Sequence, residues 1–178
     1  MYPVLRMALQ LARHRNDAPI TITDTHVSRH LCLPWDIDPW MELNNGRTLT
    51  LYDLGRVPMS RKNGLFKALQ NNGWGLAVAG ASVRYRKRIR MFDRITMRSR
   101  GVTWDDRFLY AEQSMWLSNG DCASHALIRS AVTDSKGIVA PARVAEAMGI
   151  AGPPPQVPDW IALWIVAEAQ RPWPPMAG

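Results

Sequence analysis

The stretch from residue 76 to residue 134 constrains this chain most. Its two-residue periodicity predicts four long strands, at 76–91, 94–104, 107–118 and 122–134, with only a few residues at each joint. Strands this close in sequence pair antiparallel, because a parallel crossover needs about a dozen residues or more. Asn119-Gly120 is the sharpest hairpin signal, since both residue types accept the backbone conformations of a tight turn. Upstream, ITITDTHVSRHLCL (20–33) is rich in β-branched residues, lacks glycine and is closed by Pro34, which predicts a further strand. Between these regions, Asn44 or Asn45 is a natural N-cap for a helix whose Leu51, Leu54, Gly55 and Pro58 share one face. Gly55 allows close approach of a sheet backbone, and Pro58 is expected to end or kink the helix near Val57. Leu65, Phe66 and Leu69 predict a second short helix stopped by Asn71-Asn72-Gly73, and PARVAEAMG (141–149) predicts another with a glycine stop. The expected class is α+β, a five-stranded antiparallel sheet with a helix packed on one face.

The flanks read differently. Residues 1–15 mix Val4, Leu5, Met7 and Leu9 with Arg6, Arg13, His14 and Arg15, which predicts a short surface helix and matches a secretory signal poorly. Residues 151–178 hold seven of the thirteen prolines and three of the eight tryptophans. Between the proline clusters, WIALWIVA (160–167) would form a helix about 12 Å long, against the ~30 Å of a bilayer core. It is expected to dock on its own or a partner subunit. A length of 178 residues suits one domain, read here as 1–150 with a Pro/Trp-rich extension at 151–178. Nothing predicts a transmembrane segment. Cys32 and Cys122 are too few and too far apart for a disulfide framework or a zinc knuckle, which predicts a reducing, cytoplasmic setting.

Chemistry concentrates in two places. Asp36, Asp38 and Glu42 lie just before a helix start, where free backbone N–H groups can hold an oxyanion while a carboxylate attacks or activates water. Acidic residues also occur at helix starts merely to complement the dipole. The net charge of +7 makes polyanionic ligands attractive. Arg84, Arg86, Arg88 and Arg90 would share one face of a strand, and Arg98, Arg100 and Arg107 could extend that patch. Such a row suits phosphate groups, or else forms a solvated face paired with acids such as Glu112. His26 and His30 would stand about 13 Å apart on one strand face, too far for a shared metal. The cysteines read as small apolar groups and Asp53/Arg56 as a helix salt bridge.

The segments DIDPWMELNNGRTLTLYDLGR (36–56), RYRKRIRMFDR (84–94) and TWDDRFLYAEQ (103–113), in this order, resemble hotdog-fold thioesterases of the 4-hydroxybenzoyl-CoA thioesterase type. Within that group the chain is most similar to the thioesterase superfamily member 6 branch, over about residues 1–149. The resemblance implies a sheet wrapped around a central helix and a homodimer, or dimer of dimers, joined edge to edge with the active site between protomers. It implies Asp38 as nucleophile or general base, the amide of Asn45 as the group that polarises the carbonyl, and a structural role for Asp36. Two positions depart from the family pattern: Glu42 stands where a histidine is usual, and Thr48 where an aromatic is usual. Glu42 could share a proton with Asp38 and raise its pKa, or could repel an anionic nucleophile.

The expected function is therefore hydrolysis of an acyl-CoA, with coenzyme A entering as part of the substrate and no cofactor or metal. Arg86, Arg88, Arg90 and Arg107 are the expected phosphate contacts. The alternative is a catalytically impaired hotdog protein that binds acyl-CoA or a protein partner. A dehydratase is disfavoured because the resemblance places its histidine where Glu42 stands. Nucleic-acid binding through the arginine face would show as steeply salt-dependent association, and no nucleic-acid partner is expected.

Overall fold

The computed structural model describes residues 2–175. In chain order the elements are α1 (Val4–Arg13), β1 (His26–Leu31), a 3-10 turn at Pro34–Asp36, α2 (Asn45–Lys62), α3 (Leu65–Asn72) and β2 (Gly75–Tyr85). There follow β3 (Arg94–Trp104), β4 (Leu109–Trp116), β5 (Cys122–Asp134), β6 (Gly137–Ile138), α4 (Pro141–Ala147) and α5 (Asp159–Ala169). The sheet order is β1-β3-β4-β5-β2, antiparallel throughout, with the short β6 pairing the end of β5.

The sheet curls around α2. Leu51, Tyr52 and Leu54 on the helix meet Met97, Met115, Ala126 and Ile128 on β3, β4 and β5, all at most 1% exposed. Gly55 sits where the helix comes nearest the sheet. A Cβ there would run into the Met97 sulfur and come within 2.9 Å of the Ser99 hydroxyl. The close approach expected of Gly55 is thus to side chains of β3. The opposite face of the sheet is covered by α5, whose Ile161 is fully buried with Val102, Tyr110 and Leu127. A helix enclosed by a curled antiparallel sheet is the hotdog architecture.

Three expectations need correction. Helix α2 does not stop near Val57 but runs through Pro58 to Lys62. A proline forfeits one backbone bond and costs about 3 kcal/mol in an isolated helix. Here Leu54, Pro58, Met59 and Ser60 are all buried against neighbouring elements, and Ser60 Oγ donates 2.9 Å to the Arg56 carbonyl. Burial outweighs the lost bond. The first strand covers only 26–31 of the expected 20–33, because the Thr21 N–H turns onto Asp24 Oδ2 at 2.8 Å.

The third correction bears on the site. The strand expected over 76–91 ends at Tyr85. Beyond it the N–H groups of Arg86 and Lys87 both donate to the Ala123 carbonyl, at 2.8 and 3.1 Å, and the chain leaves the ladder. The Ile89 carbonyl then accepts from Leu43 N–H at 2.8 Å, and Phe92, at φ 68°, turns the chain into β3. Arg84, Arg86, Arg88 and Arg90 therefore do not form one strand face.

Candidate active site

Asn44 caps α2, its side-chain oxygen accepting from Gly46 N–H at 2.9 Å and Arg47 N–H at 3.2 Å. Asn45 is the first helical residue, so its N–H has no intrahelical acceptor and carries the positive end of the helix dipole. The segment before it is a tight turn. Asp38 N–H donates to the Glu42 carbonyl at 2.9 Å, and Met41 takes a left-handed φ of 61° at the tip. Asp38 Oδ1 accepts from the Trp40 N–H at 2.9 Å and more weakly from that of Glu42 at 3.4 Å. No bond to Asp38 Oδ2 is found among the described residues.

Asp36 and Asp38 have different surroundings. Asp36 is fully buried, with Arg6 Nη1 2.7 Å from one carboxylate oxygen and Arg47 Nη2 2.9 Å from the other. It also accepts from Leu33 N–H at 3.1 Å, a bond within the turn. Asp38, two residues on, is half-buried.

Beside the helix start lies a cleft of about 260 Å³ lined by Glu42, Asn45, Thr48, Tyr85, Arg88 and Ser124, among others. Arg86 and Lys87 also border it, so the segment that left the sheet supplies its basic wall. Glu42, Asn45, Arg86 and Arg88 are thus brought together, while Asp38 is outside the lining of its own chain's cleft. Glu42 pairs with Arg88, Oε2 to Nε 2.9 Å, rather than with Asp38. Arg90 is not among the lining residues, and its backbone N–H donates to Asp93 Oδ2 at 2.7 Å. Arg107 lies in the turn joining β3 to β4, at the far end of β3 from this loop, with its guanidinium 5.6 Å from the Phe108 ring.

The other arginines of the expected patch are engaged elsewhere. Arg100 bonds Glu112 at 2.6 Å across β3 and β4, and Arg98 stacks over Trp116 at 4.7 Å. A hydrogen bond from His125, then those from Arg100, hold the Glu112 carboxyl down at about 2. Arg84 borders a separate pocket beneath Trp160 and Trp164 of α5. Arg56 pairs with Asp53 as expected and also donates to Gln113 Oε1 at 2.9 Å. Burial pushes the Cys32 thiol up to about 11 and raises that of Cys122, consistent with packing rather than chemistry.

Sequence reasoning missed the inner part of the cleft. Ser124 shares a 2.8 Å hydrogen bond with the buried Tyr52 hydroxyl, whose ionisation burial opposes. Thr48 is 1% exposed and donates to the Asn44 carbonyl at 3.2 Å. Tyr85, the last residue of β2, has its phenol pKa raised by burial. The available signal was alternation: Ser124, Ala126 and Ile128 occupy one face of β5, turned toward α2.

The sequence profile of the thioesterase-like superfamily matches residues 32–165. Protein THEM6 of Xenopus laevis is 32% identical over 103 residues, a match covering 58% of this chain and 50% of the frog protein. The matched segment thus spans about half the length of that relative. The crystal structure of YbaW, a probable thioesterase from Escherichia coli, superposes with a TM-score of 0.63 at 18% identity, over 68% of this chain and 95% of that one. SAV2348 of Staphylococcus aureus, a hypothetical protein solved in complex with CoA, gives 0.58 at 12% identity, over 81% of this chain and 96% of that one. At these identities the structural matches establish the shared fold.

Proposed function

This chain belongs to the thioesterase-like superfamily, and from that premise we propose that it hydrolyses an acyl-CoA to a carboxylic acid and coenzyme A. The observation that carries the reading is the start of α2: the Asn45 N–H, unpaired within its helix, opens on a cleft with Arg86, Lys87 and Arg88 on one wall. A thioester carbonyl set on that N–H gains stabilisation as its oxygen becomes anionic, and the helix dipole has the required sign. The guanidinium groups of Arg86, Arg88 and Arg90 suit the pyrophosphate and 3′-phosphate of coenzyme A. The CoA-bound structural relative supports that ligand class.

Asp38 supplies the carboxylate. As nucleophile it forms a mixed anhydride while the carbon–sulfur bond breaks, and water then cleaves the anhydride. As general base it takes the proton of an attacking water, and the thiolate leaves directly. Either route ends with the thiolate protonated. Because Asp38 is outside the lining of its own chain's cleft, we place it at a site completed by a second protomer. Strand β2 is the terminal strand of the sheet order, and Leu76 and Val78 on it are 41% and 55% exposed. Edge pairing of two such strands would bury that surface and satisfy the open ladder.

A second reading rests on a specific contact. The Glu42–Arg88 ion pair occupies the cleft with a carboxylate of the same sign as the nucleophile, as expected of a protein that binds acyl-CoA without turning it over. Free-thiol release from a panel of short, long and aromatic acyl-CoAs separates the two. Turnover that falls about 10²-fold or more in Asp38→Asn supports the enzyme. An undiminished rate eliminates Asp38, and saturable binding with no thiol release establishes the second reading.

A further inference from the structure

At the other end of the molecule, the segment after α1 places two histidines and an aspartate together. His14 Nδ1 lies 2.7 Å from Asp17 Oδ2, and the His14 and His26 rings meet edge to face with centroids 4.6 Å apart. One donor atom from each of His14, Asp17 and His26 falls within 4.8 Å of the others. His26 is 1% exposed, yet neither of its ring nitrogens has a hydrogen-bond partner among the described residues, and His14 Nε2 is likewise buried without one. Burying such groups unsatisfied is unfavourable, and a bound ion would relieve it. Lys62 at the end of α2 sets its Nζ 3.0 Å from Asp17 Oδ2.

We propose that His14, Asp17 and His26 form a binding site for one divalent transition-metal ion of the zinc class, clamping the end of α1 to the start of β1. Two imidazoles and a carboxylate are a fitting donor set for such an ion. Closing from 4.8 Å to donor spacings suited to metal bonds of about 2.0–2.2 Å asks for a small shift, and His14 and Asp17, in the irregular segment after α1, can make it. The Lys62 ammonium competes for Asp17. The site lies at the C-terminal end of α2, about 27 Å along an 18-residue helix from Asn45, and acts on structure rather than on the thioester.

The test is titration of tag-free, chelator-treated full-length protein with zinc chloride by calorimetry, repeated with cobalt(II) to read coordination by visible absorption. The expected result is one equivalent of zinc bound and a low-coordinate cobalt spectrum. His14→Asn and Asp17→Asn should each weaken affinity at least tenfold, and Lys62→Met should strengthen it several-fold. His14→Asn and Asp17→Asn replace the less buried members of the cluster, so they keep the proposal testable if His26→Asn fails to fold. Absence of saturable binding at millimolar zinc overturns the site. Binding that is indifferent to His14→Asn and Asp17→Asn also overturns it, by placing the metal elsewhere.

Discussion

Acid should weaken this protein well before its carboxylates protonate, because β1 buries two neutral histidines. His26, 1% exposed, faces His14, Lys62 and Asp17, and burial lowers its pKa to about 4. His30, 7% exposed, shares a 2.8 Å hydrogen bond with Ser28 Oγ and lies near Arg6 and Arg13. Burial first, then the charge of Arg6, lowers it to about 3. In the unfolded chain both titrate near 6.5. As pH falls below about 6.5 the unfolded chain therefore takes up protons that the folded chain refuses, and stability is lost until the folded values are reached. Between pH 7 and pH 5 each histidine should remove about 2 kcal/mol, and the pair about 4 kcal/mol. Glu112, held at about 2, gives up its stabilisation only as pH falls from about 4.5 toward 2, so this window belongs to histidine. Urea unfolding followed by tryptophan fluorescence, in chelator at pH 7 and pH 5, measures the loss directly. His30→Gln should halve it. A wild-type stability unchanged between those two pH values, or an equal loss in His30→Gln, would refute the reasoning.

Two further outcomes follow from packing. Alanine at Gly55 recovers about 1 kcal/mol of helix propensity but forces Met97 and Ser99 aside at about 1–3 kcal/mol, so Gly55→Ala should lower stability by about 1 kcal/mol. A rise in melting temperature would show that Met97 swings away freely. Ile161→Ala removes the one fully buried side chain of α5, a loss of about 2–4 kcal/mol at the site. Because α5 follows the sheet in sequence, the helix should undock locally. Faster amide exchange confined to 159–169 would register it, and unchanged exchange there would count against the docked arrangement.

The fold was legible wherever local and tertiary preferences agree. Strands β3 and β5 occupy the ranges their alternation predicts, 94–104 and 122–134, and the Asn44 cap lies where its side-chain chemistry places it. Errors arose where a distant partner decides the local structure. Pro58 ends helices in isolation, but buried neighbours hold this one together. Residues 86–91 keep a strand-like sequence, yet their backbone bonds go to Ala123 and Leu43, which only the folded chain brings near. That departure also separates the arginines. Arg86 and Arg88 reach the cleft because they leave the sheet, Arg84 does not because it stays, and Arg107 lies at the far end of β3. The inner cleft, with Thr48, Tyr85 and Ser124, was hidden for the opposite reason: small polar residues on a core-facing strand look like ordinary packing until a helix start is set beside them.

The pair Asp36 and Asp38 shows how burial divides the work of two like residues. A buried carboxylate is tolerable only when its charge is met on all sides, and Asp36 meets it with Arg6 from α1, Arg47 from α2 and the Leu33 N–H of its own turn. Those bonds join three elements, so its chemistry is spent on holding the loop that leads into α2. Asp38, released by the same turn into a half-buried position, has one oxygen fixed by backbone N–H groups and the other unengaged among the described residues. A carboxylate oriented through one oxygen and open through the other can meet an electrophile, whereas one locked through both cannot. On the proposed hydrolysis, the rigid aspartate would hold the flanking helix start as a fixed target for a carbonyl, and the open one would be the group that approaches it. Exchanging the two environments would leave the turn unsupported and bury the carboxylate to which the proposed hydrolysis assigns the reaction, so under that proposal the order of the two residues along the chain matters as much as their presence.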